Sequence, residues 1–147
     1  MKVLNFEDNI YKANAIRKVL FNRCGVTAVE LVSNVEDGLQ MLEEAESAGE
    51  PFDLIITDMH FPMRSGAVSD TEAGEKLVQI LQEQGNRTNI IVCSSRNMKL
   101  LGVYGCIWYS KISDWEEELY DLVKTMERRS GDFFSKKIIN LELFMGI

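Results

Sequence analysis

Four apolar runs in this chain each end on residues able to do chemistry. Val3-Leu4-Asn5-Phe6 runs into Glu7 and Asp8, and Phe52 to Thr57 stops at Asp58. Asn89 to Cys93 closes on Ser94, and Cys106 to Tyr109 runs into Ser110 and Lys111. Crowded carboxylates repel one another and favour a hard divalent cation with oxygen ligands. Such an ion offsets the charge of an incoming phosphoryl group. An ammonium and a hydroxyl then suit the phosphoryl oxygens, and a carboxylate is a known nucleophile for making an acyl phosphate. Each residue alone has a plainer reading. An acidic pair before a helix complements the helix dipole, Asp and Ser favour turns, and a lone Lys is solvated. Their joint appearance at the ends of four runs is what points to phosphoryl chemistry.

The elements that must position these residues alternate along the chain. After the first run, Ala13, Ile16, Val19 and Leu20 recur at helical spacing. Val26 to Val32 reads as a second strand. Ser33 with Glu36 forms a capping box, followed by the stripe Val35, Leu39, Leu42. Pro51 ends that helix, and Phe52 to Thr57 is the third strand. Ala73, Leu77, Ile80 and Leu81 mark the third helix, and Asn89 to Cys93 the fourth strand. Residues 96–104 allow a short helix, and Cys106 to Tyr109 is the last strand. Ser113 and Glu116 form a second capping box before Trp115, Leu119, Leu122 and Met126, a long amphipathic helix. Strands alternating with helices predict an α/β fold, a parallel sheet covered on both faces. In such a sheet ligands bind outside the carboxyl ends of the strands, where the chemical residues fall.

Composition narrows the function classes. The 147 residues suit one domain, and 46% hydrophobic with 27% charged residues is a globular balance. Sixteen basic against 23 acidic residues give a net charge of −7, which argues against direct nucleic acid binding. No apolar stretch is long enough for a membrane span, and the N-terminus has no signal-peptide pattern. Cys24, Cys93 and Cys106 lack paired metal spacing and read as free thiols, which predicts a reducing, cytoplasmic setting.

Over residues 1–130 the sequence resembles the response-regulator receiver domains of two-component signalling. The resemblance rests on Lys2 to Asn9 with its acidic pair, Phe52 to Pro62 around Asp58, Ile90 to Ser95, and Trp108-Tyr109-Ser110-Lys111. It implies a flavodoxin-like, doubly wound, five-stranded parallel sheet of order 2-1-3-4-5. It makes Asp58 the phosphoacceptor, and Glu7, Asp8, Asp58 and the backbone carbonyl of His60 the ligands of Mg²⁺ or Mn²⁺. Ser94 and Lys111 would hold the phosphoryl oxygens, and Trp108 would change rotamer as Ser94 moves. The donor would be a sensor histidine kinase or phosphotransfer protein. With no effector domain in view, the output of a stand-alone receiver would be contact with a downstream protein. The chemistry would be self-directed phosphorylation and autodephosphorylation rather than turnover of a substrate.

Three departures from the family pattern stand out. Eleven residues separate Pro62 from Gly74, the counterpart of a glycine that usually follows closely, so residues 64–71 are an insertion beside the site. Only 16 residues lie between Ser94 and Lys111, which predicts a shortened fourth helix. Ile112 stands where the family has proline. These departures keep open a receiver-like interaction module that works without phosphorylation. A phosphohydrolase of the haloacid-dehalogenase type would need Asp where His60 stands. Residues 131–147 form an apolar extension, expected to be ordered on the domain or at a contact with a second copy.

Overall fold

The computed structural model describes residues 1–129. In chain order the elements are β1 (Lys2–Phe6), α1 (Ile10–Cys24), β2 (Ala28–Val32), α2 (Val35–Ser47), β3 (Leu54–Thr57), β4 (Phe61–Pro62), β5 (Ser69–Asp70), α3 (Ala73–Glu83), β6 (Asn89–Ser94) and β7 (Gly105–Trp108). A fourth helix, α4, covers 115–129. Five strands form one parallel sheet in the order β2-β1-β3-β6-β7. This is the expected 2-1-3-4-5 order once the small β4–β5 hairpin is set aside. Strands β1, β3 and β6 are central and almost wholly buried, which is why they read as continuous apolar runs. The edge strand β2 exposes most of its residues.

Alternation along each strand divides the core in two. Val3, Ile56, Ile91, Cys93 and Ile107 pack with Ile16 and Leu20 of α1 and with Leu119, Val123 and Met126 of α4. Leu4, Phe6, Ile55 and Ile90 pack on the other face with Val35 and Leu42 of α2 and with Leu77 and Leu81 of α3. The sheet is therefore covered on both sides. Among the described helices, none is long and apolar enough to cross a membrane.

Several sequence expectations are corrected. The cap of α2 is Asn34 rather than Ser33: its Oδ1 accepts the Asp37 N–H at 2.8 Å. Ser113 does not cap α4. Its hydroxyl donates to the Trp108 and Ser110 carbonyls and accepts the Ser110 N–H, tying the turn after β7. The segment 95–104 contains bends and turns and no helix, so the shortening of the fourth crossover is complete. The insertion folds as a hairpin, pairing Phe61 with Asp70 and Pro62 with Ser69. Phe61 anchors it: the side chain is fully buried, its ring centroid 6.2 Å from that of Phe6. Gly66, in the loop of this hairpin, has φ 78°, a conformation that suits glycine. The 131–147 extension lies outside the described residues.

Candidate functional site

The carboxyl ends of β1 and β3 are adjacent because these strands pair directly. The Glu7 N–H donates to the Val32 carbonyl, and the Asp58 N–H to that of Phe6, so both residues continue the ladder past the assigned strand ends. Glu7, Asp8 and Asp58 each bring a carboxylate oxygen within 4.8 Å of the others. Glu7 is buried, Asp58 half-buried and Asp8 exposed. Asn9 caps α1, its Oδ1 accepting the N–H groups of Tyr11 and Lys12. Its own N–H donates to Glu7 Oε2 at 3.1 Å. Capping thus fixes both the start of the helix and the pose of Glu7.

The first turn of α1 sends a lysine into this site. Lys12 is buried, with Nζ 2.8 Å from Glu7 Oε1 and 3.2 Å from Asp58 Oδ1. Nζ also donates to the Cys93 carbonyl at 2.6 Å and stands 5.4 Å from the Tyr109 ring centroid. Burial favours a neutral amine, but the carboxylates of Glu7 and Asp58 outweigh it and hold the Lys12 pKa above its ordinary value. Glu7 is also raised, because burial and the Asp58 charge together exceed the help from Lys12. Asp58 Oδ1 accepts a second contact, from the Met59 N–H at 2.7 Å. Both contacts fall on Oδ1; Oδ2 has no protein hydrogen bond among the described residues.

The site opens into a cavity of about 650 Å³ lined by Glu7, Asp8, Asn9, Lys12, Asp58, His60, Ser69, Ser95 and Tyr109, among others. The hairpin supplies one wall through Ser69. The Arg96 guanidinium donates to the Thr71 carbonyl at 2.9 Å, linking the insertion to the chain that follows β6. The glycine counted as a departure in spacing serves close approach: a Cβ on Gly74 would lie 2.3 Å from the Asp58 carbonyl oxygen. Its N–H donates to the Met59 carbonyl, pinning α3 against the loop that carries Asp58.

The structure thus brings Glu7, Asp8 and Asp58 together and sets His60 on the cavity wall. Ser94 ends β6, buried, its hydroxyl accepting the Arg96 N–H at 3.1 Å, while the next residue, Ser95, lines the cavity. Trp108 pairs with Ser94 in the ladder and donates from Nε1 to the Ser95 carbonyl at 3.0 Å. Lys111 is placed elsewhere. Strand β7 ends at Trp108, the chain turns under Ser113, and Lys111 lies exposed in a different cavity with Arg23, Asp114 and Trp115. The ammonium that meets Asp58 belongs to Lys12, which the sequence reading missed. A signal was available: Lys12 precedes Ile16 by four residues and Val19 by seven, on the buried stripe of α1.

The donor set fits a hard divalent cation. Three carboxylate oxygens converge, and Glu7 Oε1 is buried without a well-directed hydrogen bond despite its ion-pair contact. One ammonium against three carboxylates leaves the cluster net negative, with an exposed ligand at Asp8 facing the cavity.

No protein-family model and no curated protein matches the chain. Solved structures do. The phosphorylated cyanobacterial phytochrome response regulator RcpA is 19% identical, with a TM-score of 0.60 over 86% of this chain and 90% of its own. The receiver domain of the Francisella response regulator 1452 is 20% identical, with a TM-score of 0.64 over 88% and 98%. The response regulatory domain of MrkE from Klebsiella pneumoniae is 16% identical, with a TM-score of 0.62 over 88% and 97%. The chain has the receiver-domain fold.

Proposed function

We propose that this protein is a phosphoacceptor receiver of two-component signalling, taking a phosphoryl group on Asp58. The observation that carries the reading is the convergence of Glu7, Asp8 and Asp58 at the carboxyl edge of the sheet, with Asp58 Oδ1 engaged and Oδ2 left free. Oδ2 attacks phosphorus, a P–O or P–N bond to the donor breaks, and the leaving group keeps the electron pair. Glu7, Asp8, Asp58 and the His60 carbonyl would hold Mg²⁺, whose charge offsets that of the phosphoryl group. Ser94 would supply a hydroxyl, with Trp108 beside it in the ladder to report the change. The donor would be a histidine kinase or phosphotransfer protein in the cytoplasm, and the output contact with another protein or a second copy. Incubation with a small acyl phosphate and Mg²⁺ is expected to label the wild type and not Asp58→Asn; equal labelling of both would remove Asp58 from this role.

A second reading has its own observation. Lys12 already neutralises part of the site, and Lys111 faces a different cavity. A receiver-like module working without phosphorylation would have this arrangement. It predicts no labelling of the wild type, and a partner contact that survives Asp58→Asn.

A further inference from the structure

We infer that Lys12, in the first turn of α1, is the catalytic cation of this site: its ammonium receives a phosphoryl oxygen on Asp58, and Lys111 has no part in the reaction. The inference rests on the phosphoacceptor reading above and assigns a residue to it that the strand-end pattern does not.

The geometry supplies the argument. Lys12 Nζ is aimed by its hydrogen bond to the Cys93 carbonyl at 2.6 Å and held beside it by the ion pair with Glu7 Oε1 at 2.8 Å. The carbonyl belongs to a central strand, so the ammonium is anchored to the sheet rather than held only by mobile side chains. Its third neighbour is Asp58 Oδ1, at 3.2 Å the longest of the three. When Oδ2 forms its bond to phosphorus, Asp58 loses its anionic charge and Oδ1 becomes a neutral carbonyl oxygen. The attraction on the longest contact weakens as a more negative phosphoryl group arrives beside it. An ammonium between these two groups moves its contact from one to the other without leaving Glu7 or Cys93. Because the ammonium is already desolvated, its attraction for the developing charge is stronger than that of a hydrated lysine. Lys111 meets none of these conditions: it is exposed, and it lines a cavity with Arg23, Asp114 and Glu116. Tyr109, two residues earlier, reaches the active cavity instead and puts an aromatic ring near Nζ.

The test compares Lys12→Gln, Lys12→Arg and Lys111→Gln in the full chain. Labelling by a small acyl phosphate is followed at saturating Mg²⁺, and Mg²⁺ affinity is read from tryptophan fluorescence. Lys12→Gln deletes the charge and leaves an uncharged N–H donor on a side chain one atom shorter. It is expected to label at least about tenfold more slowly, with Mg²⁺ binding equal or tighter because a competing cation is gone. Lys12→Arg is expected to recover part of the rate, and Lys111→Gln to match the wild type, as for a solvated surface charge. Normal labelling of Lys12→Gln overturns this inference and leaves the phosphoacceptor reading standing. Parallel loss of labelling and Mg²⁺ binding overturns it too, since that is the signature of a structural role. Should Lys12→Gln fail to fold, as judged by its melting curve, Lys12→Met takes its place with the same expected loss of rate, and slow labelling by Lys111→Gln counts against the inference in either case. An unlabelled wild type removes the phosphoacceptor reading and this inference with it.

Discussion

Two buried groups meet at the end of β6, and they show how one environment acts with opposite sign on different chemistries. Lys12 stays charged because carboxylates compensate its burial. Cys93, whose own carbonyl holds that lysine, is 1% exposed, and burial pushes its thiol from the ordinary 9.0 up to about 12. A thiolate is the reactive form, so Cys93 is expected to resist a thiol reagent at pH 8 until the protein unfolds, while the half-buried Cys106 reacts first. Counting modified thiols against denaturant checks this. The linkage sign follows from the raised value. Between about pH 9 and 12 the folded state holds a proton that the unfolded thiol has lost, so this group makes stability fall as pH rises through that window. The carboxylates were legible in the sequence because each stands where an apolar run ends. Lys12 was not, because a charge inside a helical stripe is ordinarily solvated. Only the three-dimensional meeting of α1 with β1 and β6 shows the partners that make its burial tolerable.

At the scale of elements, β1, β3 and α1 set the site, and two of the three departures, the 64–71 insertion and the helix-free segment after β6, rebuild its rim through Ser69 and Ser95. The sheet order was readable because buried parallel strands are apolar on both faces and their helices are not. The caps and turns were less readable, since Ser33 and Asn34 are both good caps and only the backbone path chooses between them. The hairpin was hidden because strands of two residues, Phe61–Pro62 and Ser69–Asp70, carry no period. Its base is tied by an ion pair of 2.6 Å between Asp70 and Lys76, and the ammonium draws the Asp70 carboxyl below its ordinary value. That contact is present above the unfolded carboxyl value and is lost as pH falls through the folded one. Protection of the 61–70 amides, taken relative to the intrinsic exchange rate at each pH, is therefore expected to fall on acidification in the wild type and to lose that dependence in Asp70→Asn. Gly74 tests the same element from below. A methyl group there meets the Asp58 carbonyl oxygen at 2.3 Å and the Met59 Cα at 2.9 Å, both backbone atoms that cannot step aside cheaply. Gly74→Ala is expected to cost about 1–3 kcal/mol and to slow labelling of Asp58 by shifting its loop. A melting curve and a labelling rate both equal to the wild type would show that α3 does not position the phosphoacceptor.

At the scale of the whole molecule, the two core faces are closed differently. On the α1 face, Leu119, Val123 and Met126 of α4 complete the packing. On the opposite face the crossover from β6 to β7 has no helix, and Leu100 and Val103 are only partly buried while Leu101 is 92% exposed. The end of the same crossover meets α4 on the α1 face: the Arg129 guanidinium lies 5.9 Å from the centroid of the Tyr104 ring, which packs against that core just before β7. Beyond Arg129, residues 131–147 carry nine large apolar side chains, Phe133, Phe134, Ile138, Ile139, Leu141, Leu143, Phe144, Met145 and Ile147. Burying even four of them would be worth roughly 6–12 kcal/mol before ordering costs, comparable with the whole net stability of a domain, about 5–15 kcal/mol. An extension of that composition in water is a liability. Truncation after Ser130 is therefore expected to lower the melting temperature, if the segment covers its own domain, or to change the oligomeric state, if it covers a second copy. Light scattering at several concentrations beside a melting curve separates the two. A truncated protein unchanged in both would make 131–147 a docking segment for another protein, and labelling of Asp58 in that variant would then show whether docking and phosphorylation are independent.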